Sequence, residues 1–284
     1  MKHTAILLIH CPDSTGLVAR VSSFIFEHKG NILHADQHLD SRQGMFLMRV
    51  EWEMDGFDLD LPSFASAFEP LARKHGMHWR LADSTVKQKV ALFVSKQDHC
   101  LADLLYRHRI GELHCDIAMV ISNHSDAEPL ARAAGLPFHH TPVDPDNRGA
   151  AEQRQFQLLD EGQIDLVILA RYMQVLSSEF VDRYPLRIIN VHHSFLPAFI
   201  GSHPYQRAFE RGVKLIGATS HYATSSLDEG QIIEQEIERV SHRDELDDLI
   251  RKGRDLEKIT LARAMRWHLE HRVLVYANKT VVFV

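Results

Sequence analysis

Over residues 4–83 the apolar positions recur first with the spacing of strands and then with that of helices. Ala5–His10 is a short apolar run and reads as a strand. Asp13-Ser14-Thr15-Gly16 is a turn with helix N-cap chemistry, because Ser and Asp oxygens accept from free backbone N–H groups. Leu17, Val18, Val21, Phe24, Ile25 and His28 follow at helical spacing, and Lys29-Gly30-Asn31 ends the helix with residues that tolerate positive φ. Ile32–Asp40 and Met45–Trp52 are strand-like and flank the hairpin turn Ser41-Arg42-Gln43-Gly44. A second helix over Pro62–His75 stops at Gly76, and Trp79–Ala82 closes a β-α-β-β-α-β unit of ferredoxin-like order.

Asp83–Gln88 is short and polar and reads as a linker; the boundary is set at 84/85. Beyond it the pattern changes. Val90–Ser95, Ile117–Ser122, Leu166–Ala170 and Ile188–Val191 are near-continuous apolar runs, as in strands of a parallel sheet buried on both faces. Helical stretches fall between them near 101–109, 126–134, 148–161 and 177–183, so residues 85–284 predict a doubly wound, mostly parallel, Rossmann-like α/β domain. Val213–His221 and Gln231–Val240 read as later strands and Asp244–His271 as a long helix. A closing hairpin at 273–283 turns through Ala277-Asn278-Lys279.

A chain of 284 residues accommodates about two domains, in agreement with this division. The net charge of −6 and the absence of a Lys/Arg block point away from nucleic acid and anionic membranes. Cys11, Cys100 and Cys115 form no CxxC pair or zinc spacing, which suits a reducing, cytoplasmic setting. The N-terminal apolar run, Ala5 to Ile9, is too short for a signal-peptide core or a membrane span. The 20 histidines fall into no HExxH or similar spacing, so no metal site is expected.

The chemistry concentrates in two stretches. Asn190-Val191-His192-His193-Ser194-Phe195-Leu196-Pro197 follows a predicted strand, and sites in open α/β sheets form beyond the carboxyl ends of strands. Asn190 and His192 are two apart, so in extended backbone they project to one side. An amide donor beside an imidazole suits polarisation of a carbonyl oxygen, although polar capping of a strand end would use the same residues. His221-Tyr222-Ala223-Thr224-Ser225-Ser226-Leu227-Asp228-Glu229-Gly230 also follows a strand. Its Asp228 could orient a water or hold a histidine; equally, Asp-Glu-Gly is a common turn. Ser194 lacks the GxSxG elbow of a serine nucleophile.

Together the segments NVHHSFLP and HYATSSLDEGQII resemble the formyltransferase family that uses 10-formyltetrahydrofolate, over residues 90 to about 284. Residues 1–84 are similar to an ACT domain, a module that binds small effectors. The combination, with phrases such as VHHSFLPAFIG, FERGVKLIGATSHY and VSHRDELDDLIRKGRDLEK, resembles the formyltetrahydrofolate deformylases. The resemblance implies Asn190, His192 and Asp228 as a catalytic trio; His221 and His193 could each orient the site or fill a polar surrounding, and His221 is the stronger candidate for a catalytic contribution. It implies a folate pocket lined by Arg171, Met173, Gln174, Val175 and Leu176 and by Tyr222, Ala223 and Thr224. The substrate would be 10-formyltetrahydrofolate, with no prosthetic group, and its hydrolysis would balance one-carbon folate pools and supply formate for purine synthesis. His203, in GSHPY, stands where the resemblance leads one to expect Asn.

The implied chemistry has Asn190 and protonated His192 polarise the formyl oxygen while Asp228 positions water. Water is favoured as acceptor because the turn after the first strand of this segment, Ser95-Lys96-Gln97-Asp98-His99-Cys100, has no glycine to cradle a phosphorylated acceptor and carries an aspartate. A formyltransferase acting on an amine and a non-catalytic folate or amino-acid sensor remain alternatives. The ACT resemblance further implies an amino-acid effector, methionine or glycine, near Asp13, Gly16 and Asn31, and a homo-oligomer.

Overall fold

Strand β1 (Thr4–Pro12) is apolar on both faces, so its sheet must be covered on both. In the computed structural model, which describes residues 2–198 and 204–284, it is followed by α1 (Leu17–Glu27), β2 (Asn31–Asp40), β3 (Met45–Glu53), α2 (Leu61–His75) and β4 (His78–Asp83). The strands form an antiparallel sheet in the order β2-β3-β1-β4, the ferredoxin-like arrangement. Ala5, Leu7, Ile9 and Cys11 of β1 face the helices and pack with Val21, Ile25, Phe64 and Phe68. One local expectation is corrected. Helix α1 starts from Gly16 at φ 87 with no side-chain cap, so Ser14 and Asp13 do not cap it. Helix α2 follows the rule: Asp60 accepts from the Ser63 N–H at 2.8 Å, and Gly76 ends it at φ 60.

The second body runs through β5 (Gln88–Val94), α3 (His99–Arg109), β6 (Cys115–Ser122), α4 (Glu128–Ala133), β7 (Phe138–His140), α5 (Arg148–Glu161) and β8 (Leu166–Leu169). It continues through α6 (Ser178–Arg183), β9 (Ile188–His192), α7 (Pro204–Arg211), β10 (Leu215–Tyr222), β11 (Ile232–Arg239) and α8 (Leu246–Leu269). Among the described residues its strands lie in the order β11-β10-β9-β8-β5-β6-β7. Those from β9 to β7 are parallel, while β10 and β11 are antiparallel additions. Phe93, Phe156, Phe180 and Tyr172 fill the core on one side of this sheet. The direction of winding reverses between β5 and β8, and ligands bind in such sheets at that reversal, beyond the strand carboxyl ends. Strand β7 and helix α7 were not anticipated from the sequence; three residues carry too little pattern to read as a strand. His203 lies outside the described residues.

After α8 the chain forms a hairpin, β12 (Val273–Tyr276) and β13 (Lys279–Val282). The two compact units are Met1–Lys87 with Glu270–Val284, and Gln88–Leu269. The hairpin thus belongs with the first unit and not, as the sequence division had it, with residues 85–284. The reason is burial. Leu8 and Leu47 point away from α1 and α2, and Leu274, Tyr276 and Phe283 cover them. Arg49 ties the segment down by donating to the His271 carbonyl at 3.1 Å.

Leu274 is 5% exposed. Leu274→Ala is expected to destabilise the first unit by about 2–5 kcal/mol. Urea unfolding followed by fluorescence checks this, since Trp52 and Trp79 report on the first unit and Trp267 on the second.

Candidate active site

Beyond the carboxyl ends of β5, β8 and β9 the second unit contains a cavity of about 580 Å³. Asn190 and His192 come from β9, and period-two geometry puts both on its wall. Pairing of β10 against β9 sets His221 opposite Asn190. The Asn190 amide donates to His221 Nε2 at 3.2 Å, and His221 Nδ1 donates to the Tyr222 carbonyl at 2.8 Å. That pattern needs a neutral His221, and burial lowers its pKa accordingly. The amide retains a second N–H for a ligand.

Asp228 arrives from the loop after β10. His192 Nδ1 lies 3.2 Å from Asp228 Oδ1, and His221 Nε2 lies 3.8 Å from the same oxygen. Burial pushes the Asp228 carboxyl up, but the hydrogen bond from His192 and the adjacent imidazoles outweigh it and hold the group below the usual carboxylate range. Asp228 is therefore ionised at neutral pH and orients the His192 ring. The His192 Nε2 is buried and makes no hydrogen bond among the described residues. Two backbone features hold the loop. Asp228 sits at φ 58, a left-handed conformation that few non-glycine residues adopt. At Gly230 a Cβ would stand 1.7 Å from the Tyr222 carbonyl oxygen, so the return of the loop onto β10 requires glycine.

Met173, Gln174, Val175, Leu176, Ala223 and Thr224 all line the cavity. Met173, Val175 and Leu227 are each more than half exposed around its apolar rim. Tyr222 does not line it: the side chain is buried, and its hydroxyl meets His268 Nδ1 at 2.8 Å. Arg171 does line it, but its guanidinium is engaged by protein groups. It donates to Gln97 Oε1 at 3.0 Å and to His193 Nδ1, and its Nε lies 3.3 Å from Glu257 Oε2. Glu257 also binds His99 Nε2 and the Tyr205 hydroxyl, each at 2.7 Å.

Sequence reasoning missed Glu257, Gln97, His99 and Tyr205. One signal was available: Glu257 falls in phase with Leu249, Gly253, Leu256 and Leu261 on the buried face of α8, where a carboxylate needs a partner. His99, Cys100 and Glu257 bring potential metal ligands within 4.8 Å of one another. Their chemistry does not favour a cation there. Burial and the Glu257 charge raise the Cys100 pKa, keeping the thiol protonated, and the carboxylate already carries Arg171.

An amide donor, an imidazole and an ionised carboxylate at one end of a cavity, on a doubly wound sheet, define a formyltransferase-type catalytic unit. The formyl transferase family model matches residues 88–265, and the ACT domain model matches residues 5–72. The chain is 56% identical to a formyltetrahydrofolate deformylase of Synechocystis sp. over 99% of its length and 98% of that protein. A crystal structure of a formyltetrahydrofolate deformylase from Pseudomonas syringae pv. tomato superposes with TM-score 0.97 at 49% identity, covering 100% of this chain and 95% of that one. A glycinamide ribonucleotide transformylase from Symbiobacterium toebii matches 70% of the chain, and 95% of its own, with TM-score 0.65 at 32% identity. The chain belongs to the formyltetrahydrofolate deformylase family.

Gly230→Ala must displace either Tyr222 or the loop carrying Asp228. A shift near 1 Å at a reacting centre lowers turnover by about a hundredfold. Steady-state rates and a crystal structure of the variant check this; an unmoved Asp228 with undiminished turnover contradicts it.

Proposed function

We propose that the chain hydrolyses 10-formyltetrahydrofolate to tetrahydrofolate and formate. The observation that carries this reading is the convergence of Asn190, His192 and Asp228 on a single cavity, in a chain of this family. The apolar rim of Met173, Val175 and Leu227 suits the flat ring system of a folate, and the polar end suits its formamide.

In the reaction the formyl oxygen accepts from the free Asn190 N–H and from His192 Nε2–H, whose Nδ1–H is held by Asp228. A water oxygen attacks the formyl carbon, the carbonyl electron pair moves onto oxygen, and the two donors stabilise the oxyanion. The water proton passes through the Asp228 carboxylate to the folate nitrogen. The C–N bond then breaks toward that nitrogen, giving the amine and formic acid, which ionises. His221 touches no reacting atom in this scheme. It is a positioning residue, fixing the Asn190 amide with its Nε2. Residues 95–100 support water as acceptor, because Gln97 and His99 are bound to Arg171 and Glu257 instead of forming a phosphate cradle.

Incubation with 10-formyltetrahydrofolate and no acceptor should release formate and tetrahydrofolate in equal amounts. Asp228→Asn should lower kcat by about 10²–10⁴. Asn190→Ala should lower it by about 10²–10³, with folate binding retained in both. Formylation of an added amine without formate release would instead assign the chain to the transferases.

For the first unit the reading is a small-molecule effector domain, with an amino acid as ligand and a homo-oligomer as the assembly. Gly16 and Asp13 lie at the start of α1, and Asn31 donates to Glu53 at 2.8 Å. Among the described residues no helix is long and apolar enough to cross a membrane. Methionine or glycine should bind in isothermal titration and change kcat or KM; no heat from either at millimolar concentration would remove the amino-acid assignment.

A further inference from the structure

Arg171 has a conformation that its residue type disfavours. It sits at φ 63 immediately after β8, in the left-handed region where glycine is at ease and a bulky side chain is strained. It is also a buried cation, 8% exposed, against a carboxylate that is 1% exposed. Replacing a buried ion pair by apolar groups is often neutral or stabilising, so neither strain nor ion pair is explained by stability alone. The arrangement is over-determined in another way. Glu257 Oε2 pairs with the cation 3.3 Å from Nε without a hydrogen bond to it, Gln97 accepts from one terminal nitrogen, and the other terminal nitrogen donates to His193 Nδ1. Tyr205 fixes Glu257 from the opposite side. It comes close only because Gly253 of α8 has no side chain; a Cβ there would stand 2.1 Å from the tyrosine ring.

The target of this scaffold is a ring beside the reacting group. His193 stacks on His192 with centroids 5.1 Å apart and an interplanar angle of 25°. An arginine has no acceptor, so it can only donate. His193 Nδ1 must therefore be a lone pair, and its proton must sit on Nε2. We infer that Arg171 is a positioning residue for the reaction proposed above: it locks His193 as the Nε2–H tautomer stacked against His192, so that His192 alone of the pair carries the catalytic proton.

The charges facing His193 agree. Burial first, then the Arg171 cation, drive its pKa down to about 3, and His192 acts in the same direction. Glu257 and Asp228 oppose this, while the neutral Tyr205 ring lies 6.0 Å away. Without Arg171 one of the two leading causes of that depression is gone and Glu257 faces an imidazole with no cation beside it, so protonation becomes easier although burial still opposes it. An imidazolium at His193 would repel a second one at His192.

The test follows both rings in the full chain by NMR of 13C-labelled histidine without substrate, with the His193 signal assigned by its loss in His193→Asn. In the wild type it should stay at the neutral, Nε2–H position from pH 5 to 9. In Arg171→Met, where Glu257 then faces the ring, its midpoint should rise into the range from pH 5 to 9, and in Arg171→Met/Glu257→Gln, which leaves no lone buried charge and where burial still keeps the ring neutral, the signal should shift to a mixture of the two neutral tautomers. The kcat of Arg171→Met for formate release should then fall about tenfold per pH unit below that midpoint and recover above it. Arg171→Lys, which restores the charge, should keep the wild-type pH profile. His193→Asn in the Arg171→Met background should abolish the new acid limb. A wild-type-like His193 signal in both Met variants, or an unchanged Arg171→Met kcat profile with His193 titrating, overturns the inference. If neither Met variant folds, titration of His193 in Arg171→Lys as in the free side chain overturns it. Because the titration needs no substrate, its outcome is separate from whether the wild type releases formate from 10-formyltetrahydrofolate.

Discussion

The antiparallel register of β10 against β9 is the constraint on which the site depends. It sets His221 opposite Asn190 and Thr219 opposite His192, on a sheet whose other central strands are parallel. A slip of one residue would turn each side chain to the opposite face, taking the amide out of the cavity and removing its partner. The same strand delivers the loop that carries Asp228, and the close return of that loop at Gly230 is possible only without a side chain. Three functional groups from two segments thus share one geometric reference.

Around that reference the site separates its charges. Asp228 stays ionised beside His192, His221 is neutral because it is buried and accepts the Asn190 amide at Nε2, and His193 is neutral because it is buried and accepts from Arg171. Three histidines that are alike in sequence occupy three different electrical environments, set by partners on other elements. In low dielectric such fixed donors act without reorganising during the reaction, which is what a developing oxyanion requires.

Much of this was legible in the sequence. Asn190 and His192 could be read because strand periodicity and the position of strand ends are local properties. The β-α-β-β-α-β order and the parallel core followed from continuous apolar runs, and Asp228 gained its meaning from the resemblance carried by its loop. What escaped was non-local. Glu257 lies 86 positions beyond Arg171 in sequence yet 3.3 Å from it in space, and no window of pattern joins them. Tyr222 was placed on the pocket by the resemblance of its loop, which says nothing of the partner on another element; its hydroxyl meets His268 Nδ1 at 2.8 Å. The hairpin at 273–282 was assigned to the wrong unit, although Ala5–Ile9 held a clue, since an unbroken apolar strand implies cover on both faces and α1 and α2 supply only one.

That hairpin gives the first unit a particular birth order. Residues 88–269 are interposed between its two parts, so ribosomes must finish all of the second unit before the last cover for Leu8 and Leu47 emerges. At about 5–20 residues per second the outer face of β1 and β3 stays naked for on the order of ten seconds or more. The second unit is synthesised in full during that interval, while the outer face of β1 and β3 waits for residues 270–284 to seal it.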